Sequence, residues 1–348
     1  MSAEPDAVPS TTDLPSGEPV PTSNAEPLPV PQPSSKPSSG LAALLKTAPS
    51  DIDAFLAHLH RCLQTPSGID TVLLFVCYTS RLSASVLQAL TGPAIRRSAR
   101  QLLAIADALP PSATLIFATT NRAFPFSPSV ALVLRLAKRL KALSVLLSEV
   151  RTFMRLWGLL NMYFWARGLV LKWRQSKQSS SSSSSGEKSL SAAASKTPET
   201  DRVETTIAWA QLAACVAFQS LENAAFLSSK GVLDWWAPAT QGKMARWSAR
   251  FWGAFVGAEL GRLLYEARKR GRRSARERIG ARTVAEAEAE ERAWSGAWRR
   301  SLVRNLAWAP LTVHWSLERG YVSEMGIGAL ACVPAFIQIR DLWRRTAE

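Results

Sequence analysis

The sequence predicts an all-α, membrane-associated protein built from amphipathic and marginally transmembrane helices. Three observations predict it. Strand-like alternation is scarce, whereas long apolar stretches recur at helical spacing. The 348 residues carry a net charge of +15 beside 47% hydrophobic content, which calls for a polyanionic partner, either nucleic acid or an anionic lipid surface. Several of the 13 tryptophans adjoin arginine (Arg246-Trp247, Trp298-Arg299-Arg300, Trp343-Arg344-Arg345), a pairing that suits a headgroup interface.

Two low-complexity segments divide the chain. Residues 1–49 form a Pro/Ser-rich tail, expected to be disordered; its first 40 residues hold ten of the 21 prolines and five acids against a single base, Lys36. The tail lacks the basic and apolar regions of a secretory signal and is too acidic for a mitochondrial transit peptide, so a cytosolic origin is expected. A Ser-rich linker spans 175–200, with an unbroken tract from Ser179 to Ser185. Between and beyond them lie an N-terminal helical membrane-active region, 50–174, and a C-terminal helical membrane region, 201–348, with a charged segment at 266–293.

In the first region, Ser50 or Asp51 caps a helix that ends at the Thr65-Pro66-Ser67-Gly68 turn, and a second runs from Ile69 to Ala89 before Gly92-Pro93. The second is apolar nearly all round, with Arg81 the only charge between Asp70 and Arg96, so it belongs in a core or in lipid. A third helix starts at Ser127-Pro128 and runs to Trp157. At about 100° per residue, Val133, Leu136, Leu140, Leu143, Leu147, Val150, Met154 and Trp157 fall on one stripe, with Arg135, Lys138, Arg139, Lys141 and Arg155 off it. This basic amphipathic pattern fits a helix lying flat on an anionic membrane, and equally a soluble bundle helix with a solvated basic face. Leu156 to Trp173, with Arg167 and Lys172 its only charges, reads as membrane-buried or interfacial.

In the second region, Ile207–Phe218 and Met325–Ile339 are each shorter than a clear spanning helix, and are expected to be marginal spans or re-entrant segments. Between them a basic cluster (Arg268, Lys269, Arg270, Arg272, Arg273, Arg276, Arg278) precedes an acidic run (Glu286, Glu288, Glu290, Glu291).

No catalytic or cofactor constellation emerges, so no enzyme activity and no cofactor are expected. Gly242-Lys243 lacks the earlier glycine of a phosphate loop. His58, His60 and Cys62 lack a partner pair for metal, and His314 lacks a nucleophile elbow. The four cysteines lie far apart and read as buried thiols. The basic cluster comes with no nucleic-acid-binding motif, so no nucleic-acid partner is expected.

Three segments taken together resemble the peroxin-eleven family of peroxisomal membrane proteins: Thr65-Pro66-Ser67-Gly68-Ile69-Asp70 through Cys77-Tyr78-Thr79-Ser80-Arg81-Leu82; Leu147-Ser148-Glu149-Val150-Arg151-Thr152-Phe153-Met154-Arg155-Leu156-Trp157-Gly158; and Leu221-Glu222-Asn223-Ala224-Ala225-Phe226-Leu227-Ser228-Ser229-Lys230-Gly231-Val232-Leu233. Tyr78, Arg81, Glu222, Asn223 and Gly231 are the motif positions. The chain departs from the family at Thr71, where many relatives carry lysine, and in its tail and linker, as a divergent branch does.

The resemblance implies a peroxisomal membrane protein that elongates or remodels the membrane and so controls peroxisome proliferation, fission and number. Arg135, Lys138, Arg139, Lys141, Arg151 and Arg155 would hold headgroups of anionic membrane lipids while Leu136, Leu140, Leu143, Leu147, Met154 and Trp157 insert. It also implies a homo-oligomer and contact with the peroxisomal fission machinery, including a dynamin-like GTPase. The alternative from the same family is a peroxisomal channel or transporter for small metabolites, with Glu222 and Asn223 lining the pore.

Overall fold

The computed structural model describes residues 41–108, 110, 128–182, 198–234, 236–271 and 283–347. Among these residues there are helices and no strands: α1 (Leu41–Cys62), α2 (Pro66–Asp107), α3 (Pro128–Met154), a 3-10 turn (Arg155–Trp157), α4 (Gly158–Ser182), α5 (Pro198–Ser229), α6 (Pro238–Gly271), α7 (Val284–Ser316) and α8 (Glu324–Arg345). The all-α expectation is met. The expected disorder of residues 1–40, the Ser127 cap and most of the serine linker lie outside the described residues, as do Arg272, Arg273, Arg276 and Arg278.

Local chemistry explains several helix ends. Thr283 caps α7 in a reciprocal box with Glu286, one of the acids of the charged segment. Ser323 caps α8 through the Gly326 N–H. Gly231, at φ 72°, closes α5 in a Schellman motif: the Val232 N–H donates to the Leu227 carbonyl and the Gly231 N–H to the Ser228 carbonyl.

Several boundaries differ from expectation. Helix α1 begins at Leu41, inside the expected tail, and α4 runs on to Ser182, inside the expected linker. Helix α2 passes Gly92-Pro93 and continues to Asp107. Proline forfeits one N–H bond, but Thr91 and Ser98 are buried on the face that carries Cys77 and Ala84, so packing overrides the local stop signal.

The helices pack in the order α3, α2, α8, α7, α6, α5, α4, and the 3-10 turn joining α3 to α4 closes the circuit. Helix α3 runs antiparallel to α2, with Arg151 against Asp70 and Cys77 donating to the Ser144 carbonyl. Helix α8 is antiparallel to α2 on another side, with Phe75 edge-on to Phe336 and Arg81 paired to Glu324. A Cβ at Gly328 would come 2.9 Å from the Leu82 Cα, so only glycine allows this backbone approach.

One core serves both sequence regions. Leu74 and Met162 from the first meet Phe218, Trp252, Phe255, Trp308, Leu311 and Ile327 from the second. The two regions are therefore not separate units: α2 and α8, far apart in sequence, are neighbours. Pro66–Ile105 and Glu324–Arg345 are long and apolar enough to cross a membrane by length and composition, and these two stretches lie on those adjacent helices. The expected apolar stretch Ile207–Phe218 sits inside α5, which does not reach that standard.

Candidate membrane-binding surface

The interface between α2 and α3 is made of small and polar side chains at seven-residue spacing. Cys77 and Ala84 on α2, and Ala137 and Ser144 on α3, are all buried. Such residues let two helices approach closely, the usual device of helix pairs in lipid. The large apolar residues of α3 are consequently turned away from α2.

They form a continuous outer stripe. Leu132, Leu136, Leu143, Leu146, Val150, Phe153, Trp157, Leu160 and Phe164 are exposed, and with Arg139 their spacing alternates four and three residues along α3, the 3-10 turn and the start of α4. Trp157, at the junction, is 71% exposed. Of the stripe expected from sequence, Leu136, Leu143, Val150 and Trp157 lie on this surface, whereas Val133, Leu140, Leu147 and Met154 are half-buried toward the bundle. Arg135, Lys138, Arg139 and Lys141 are exposed, as a headgroup role requires.

Arg151 and Arg155 correct the sequence reading. They are 2% and 4% exposed and bind carboxylates of the protein instead of headgroups. Arg151 donates to Asp70 Oδ1 at 2.9 Å and Oδ2 at 3.3 Å. Arg155 donates to Glu222 Oε2 at 2.8 Å and also to Oε1, and to the Thr152 hydroxyl. The two bidentate forks, one turn apart, fasten the α3–α4 rod to α2 on one side and to α5 on the other. Burial pushes the Glu222 carboxyl up, and the Arg155 guanidinium and Gln219 amide oppose it.

Glu222 and Asn223 are engaged inside the fold. Gln219 donates to Asn223 Oδ1 and Glu222 Oε2, and Asn223 donates to the Leu156 carbonyl. A Cβ at Gly158 would lie 3.0 Å from Gln219 Oε1, so this glycine lets α4 start flush against α5. The other motif positions are structural too: Tyr78 is buried edge-on to Trp308, Arg81 pairs with Glu324, and Gly231 is the α5 cap.

His58 and His314 are likewise structural. His58 stacks on Trp343 and hydrogen-bonds the Trp343 carbonyl and Thr346 hydroxyl, tying α1 to the end of α8. His314 Nδ1 accepts from the Val322 N–H. Among the described residues no group of three His, Cys, Asp or Glu could hold a metal ion.

Sequence reasoning missed Leu132, Leu146 and Phe153 as surface residues, and Asp70 as the partner of Arg151, whereas Leu160 and Phe164 lie in the stretch it expected to be membrane-buried or interfacial. The signal that could have found them is the matched seven-residue recurrence of Asp70, Cys77, Ala84 against Ala137, Ser144, Arg151. Comparison with protein-family models, with curated proteins and with solved structures finds no match to this chain.

Proposed function

We propose that this chain is a peroxisomal membrane protein of the peroxin-eleven kind, which wedges the outer face of its α3–α4 rod into one leaflet and thereby elongates the organelle membrane. The observation that carries the reading is the inversion along α3 and the turn after it: Ala137, Ser144, Arg151 and Arg155 face inward while Leu132, Leu136, Leu143, Leu146, Phe153 and Trp157 face out. A helix inserted at headgroup depth expands the leaflet it enters and favours curvature. The order of the three family-like segments supports the location.

The α2–α3 packing bears on orientation. Because the two helices are antiparallel and in register, a bilayer crossed by packed α2 would also take in exposed Arg135, Lys138, Arg139 and Lys141 midway along it. Each would cost about 2.5–3.5 kcal/mol there. The packed hairpin therefore lies along the membrane plane with the stripe inward. Glu222 and Asn223, which carried the expectation of a pore, are held by Arg155, Gln219 and the Leu156 carbonyl, so membrane shaping is the reading preferred here.

The test is microscopy of the tagged full chain beside a peroxisomal matrix marker, under native expression, deletion and overexpression. Co-localisation, with fewer and larger organelles on deletion and elongated or more numerous ones on overexpression, is the expected result. Location on another membrane overturns the organelle assignment. Peroxisomal location with unchanged number and shape overturns the shaping role.

A further inference from the structure

Helices α6 and α7 present an outer face that the core leaves uncovered. On α7, Trp308 and Trp315 point into the core, while Val303, Leu306, Pro310 and Val313, spaced three and four residues apart, stand about half a turn away. Val303, Leu306 and Val313 are exposed, Leu306 at 54%. Alongside, α6 carries glycine at every fourth place: Gly253, Gly257 and Gly261. A Cβ at Gly253 would meet the Thr312 hydroxyl of α7, but at Gly257 and Gly261 it would meet nothing within 4 Å. Steps of four drift about 40° round a helix, so the row passes from the α7 contact onto open surface, where exposed Ala254 joins it. A ridge of large apolar side chains thus runs beside a channel of small ones.

Ridge and channel are in step. Helix α6 is antiparallel to α7, with Gly253 against Thr312 and the Leu263 carbonyl accepting from Trp298. Val303 is therefore level with Gly261, Leu306 with Gly257 and Pro310 with Ala254. A half-turn about an axis between the two helices and parallel to them keeps every level and lays α7 of one copy over α6 of another. Each large side chain then faces a small one, twice over, which is the self-complementarity that a two-fold dimer requires. Close approach over glycines four residues apart is a usual mode of helix association. At one end exposed Lys243, a turn from the Arg246–Glu318 ion pair, comes beside Glu318 of the second copy. At the other, exposed Arg268 comes level with Arg292 and Arg299 of the second copy, and their repulsion ends the contact. The face is two helices wide and about 30 Å long from Lys243 to Leu264, about 600 Å² per copy. Pairing therefore buries about 1,200 Å², the size at which specific interfaces begin.

We propose that the outer face of α6 and α7 is the interface of a homodimer whose two membrane-binding stripes face opposite ways. Helices α4, α5 and α6 run antiparallel in turn, with Gly158 against Gln219, Ser248 bonded to the Phe218 carbonyl and Gln211 to Glu259. On α4, Met162 meets the core and the stripe residues Leu160 and Phe164 lie on the far side. A half-turn about an axis along these helices reverses every direction across them, the direction of the stripe included. The dimer therefore joins two membranes instead of sitting twice on one. The bridging rests on the membrane reading above, whereas the dimer itself does not.

Analytical ultracentrifugation of the purified full chain tests the interface, and light scattering of phosphatidylcholine vesicles doped with phosphatidylserine tests the bridging. The unaltered chain is expected to sediment with the mass of two 38.0 kDa chains and to cluster the vesicles. G261L adds a side chain where the single chain has open space, and L306Q removes a residue of the exposed ridge. Both variants are expected to keep the helical circular dichroism of the unaltered chain, to sediment as single chains and to bind vesicles without clustering them. A monomeric unaltered chain, or a dimer that survives in both variants, overturns the interface. A dimer that binds vesicles and leaves them dispersed overturns the opposed arrangement. Loss of vesicle binding in L306Q gives this face to lipid and overturns the second copy as its occupant. A dimer that binds no vesicle supports the interface and overturns the membrane reading instead.

Discussion

Arg151 reaches from α3 to Asp70 on α2 and holds both carboxylate oxygens, with each side chain almost fully buried. One turn later Arg155 does the same for Glu222 on α5. Each carboxylate answers a charge that the fold has already removed from water. Removing one partner leaves the other charge uncompensated, and such changes cost about 3–5 kcal/mol. D70N and E222Q are each expected to lower unfolding free energy by that amount in denaturant titrations of the purified chain. The paired replacement R151M/D70L is expected to cost less than D70N alone, because no orphan charge remains. A double variant as damaged as the single one would show that the pair does more than neutralise itself.

Two glycines separate close approach from mere helix content. At Gly328 a methyl group meets the Leu82 backbone, which cannot move aside without shifting α2 against α8. G328A is expected to destabilise by about 1–3 kcal/mol, the ordinary cost of overpacking. At exposed Gly257 on α6 nothing lies within 4 Å of the added Cβ. G257A is expected to stabilise by about 0.5–1 kcal/mol through helix propensity alone. Thermal unfolding of the two variants side by side checks the opposite signs.

Helix content was legible from period and caps because these are local properties: Pro128 opens α3, and the third apolar stretch became α8. The rotation of α3 was not. A leucine stripe is ordinarily read as the core-seeking face, yet here Ala137, Ser144 and Arg151 take the interface and Leu132, Leu146 and Phe153 face out. Periodicity reports that a face is apolar and is silent on which neighbour covers it. Asp70 and Arg151 stand 81 residues apart, so nothing local announces their pairing, and Arg151 looked like a surface cation. The single shared core was hidden for the same reason, since α2 meets α8 only in three dimensions.

Acid stability is set in part by Glu259 on α6. Burial alone would raise its carboxyl, but the donors Arg262 and Gln211, with Arg304 of α7 nearby, outweigh burial and hold it below its ordinary value. A carboxylate lowered in the folded state stabilises fully above its unfolded value, near about pH 4.3, and that contribution is lost as pH falls through the folded value. Glu222 and Glu266 act in the opposite sense, because burial pushes both up and the folded chain takes their protons first. The difference between unaltered chain and E259Q isolates the one group. The advantage of the unaltered chain at neutral pH is expected to shrink below about pH 4.3, and a gap constant through that range would assign Glu259 a different role.

The outer stripe makes the sharpest functional prediction, since its residues touch little inside the fold. Phe153 and Trp157 are exposed on the rod, while their neighbours Arg151 and Arg155 hold it to the bundle. Replacing an exposed apolar side chain by a charged one removes about 1.5–3 kcal/mol of burial that is available only in lipid. F153E and W157E are therefore expected to leave unfolding free energy within about 0.5 kcal/mol of the unaltered chain and to weaken vesicle binding by roughly tenfold or more each. L147E, on the half-buried side, should instead destabilise the fold. Vesicle sedimentation and denaturant unfolding on the same three variants separate the two faces. If F153E and W157E bound vesicles as the unaltered chain does, the stripe would face something other than lipid, and an oligomer interface would become the reading to test.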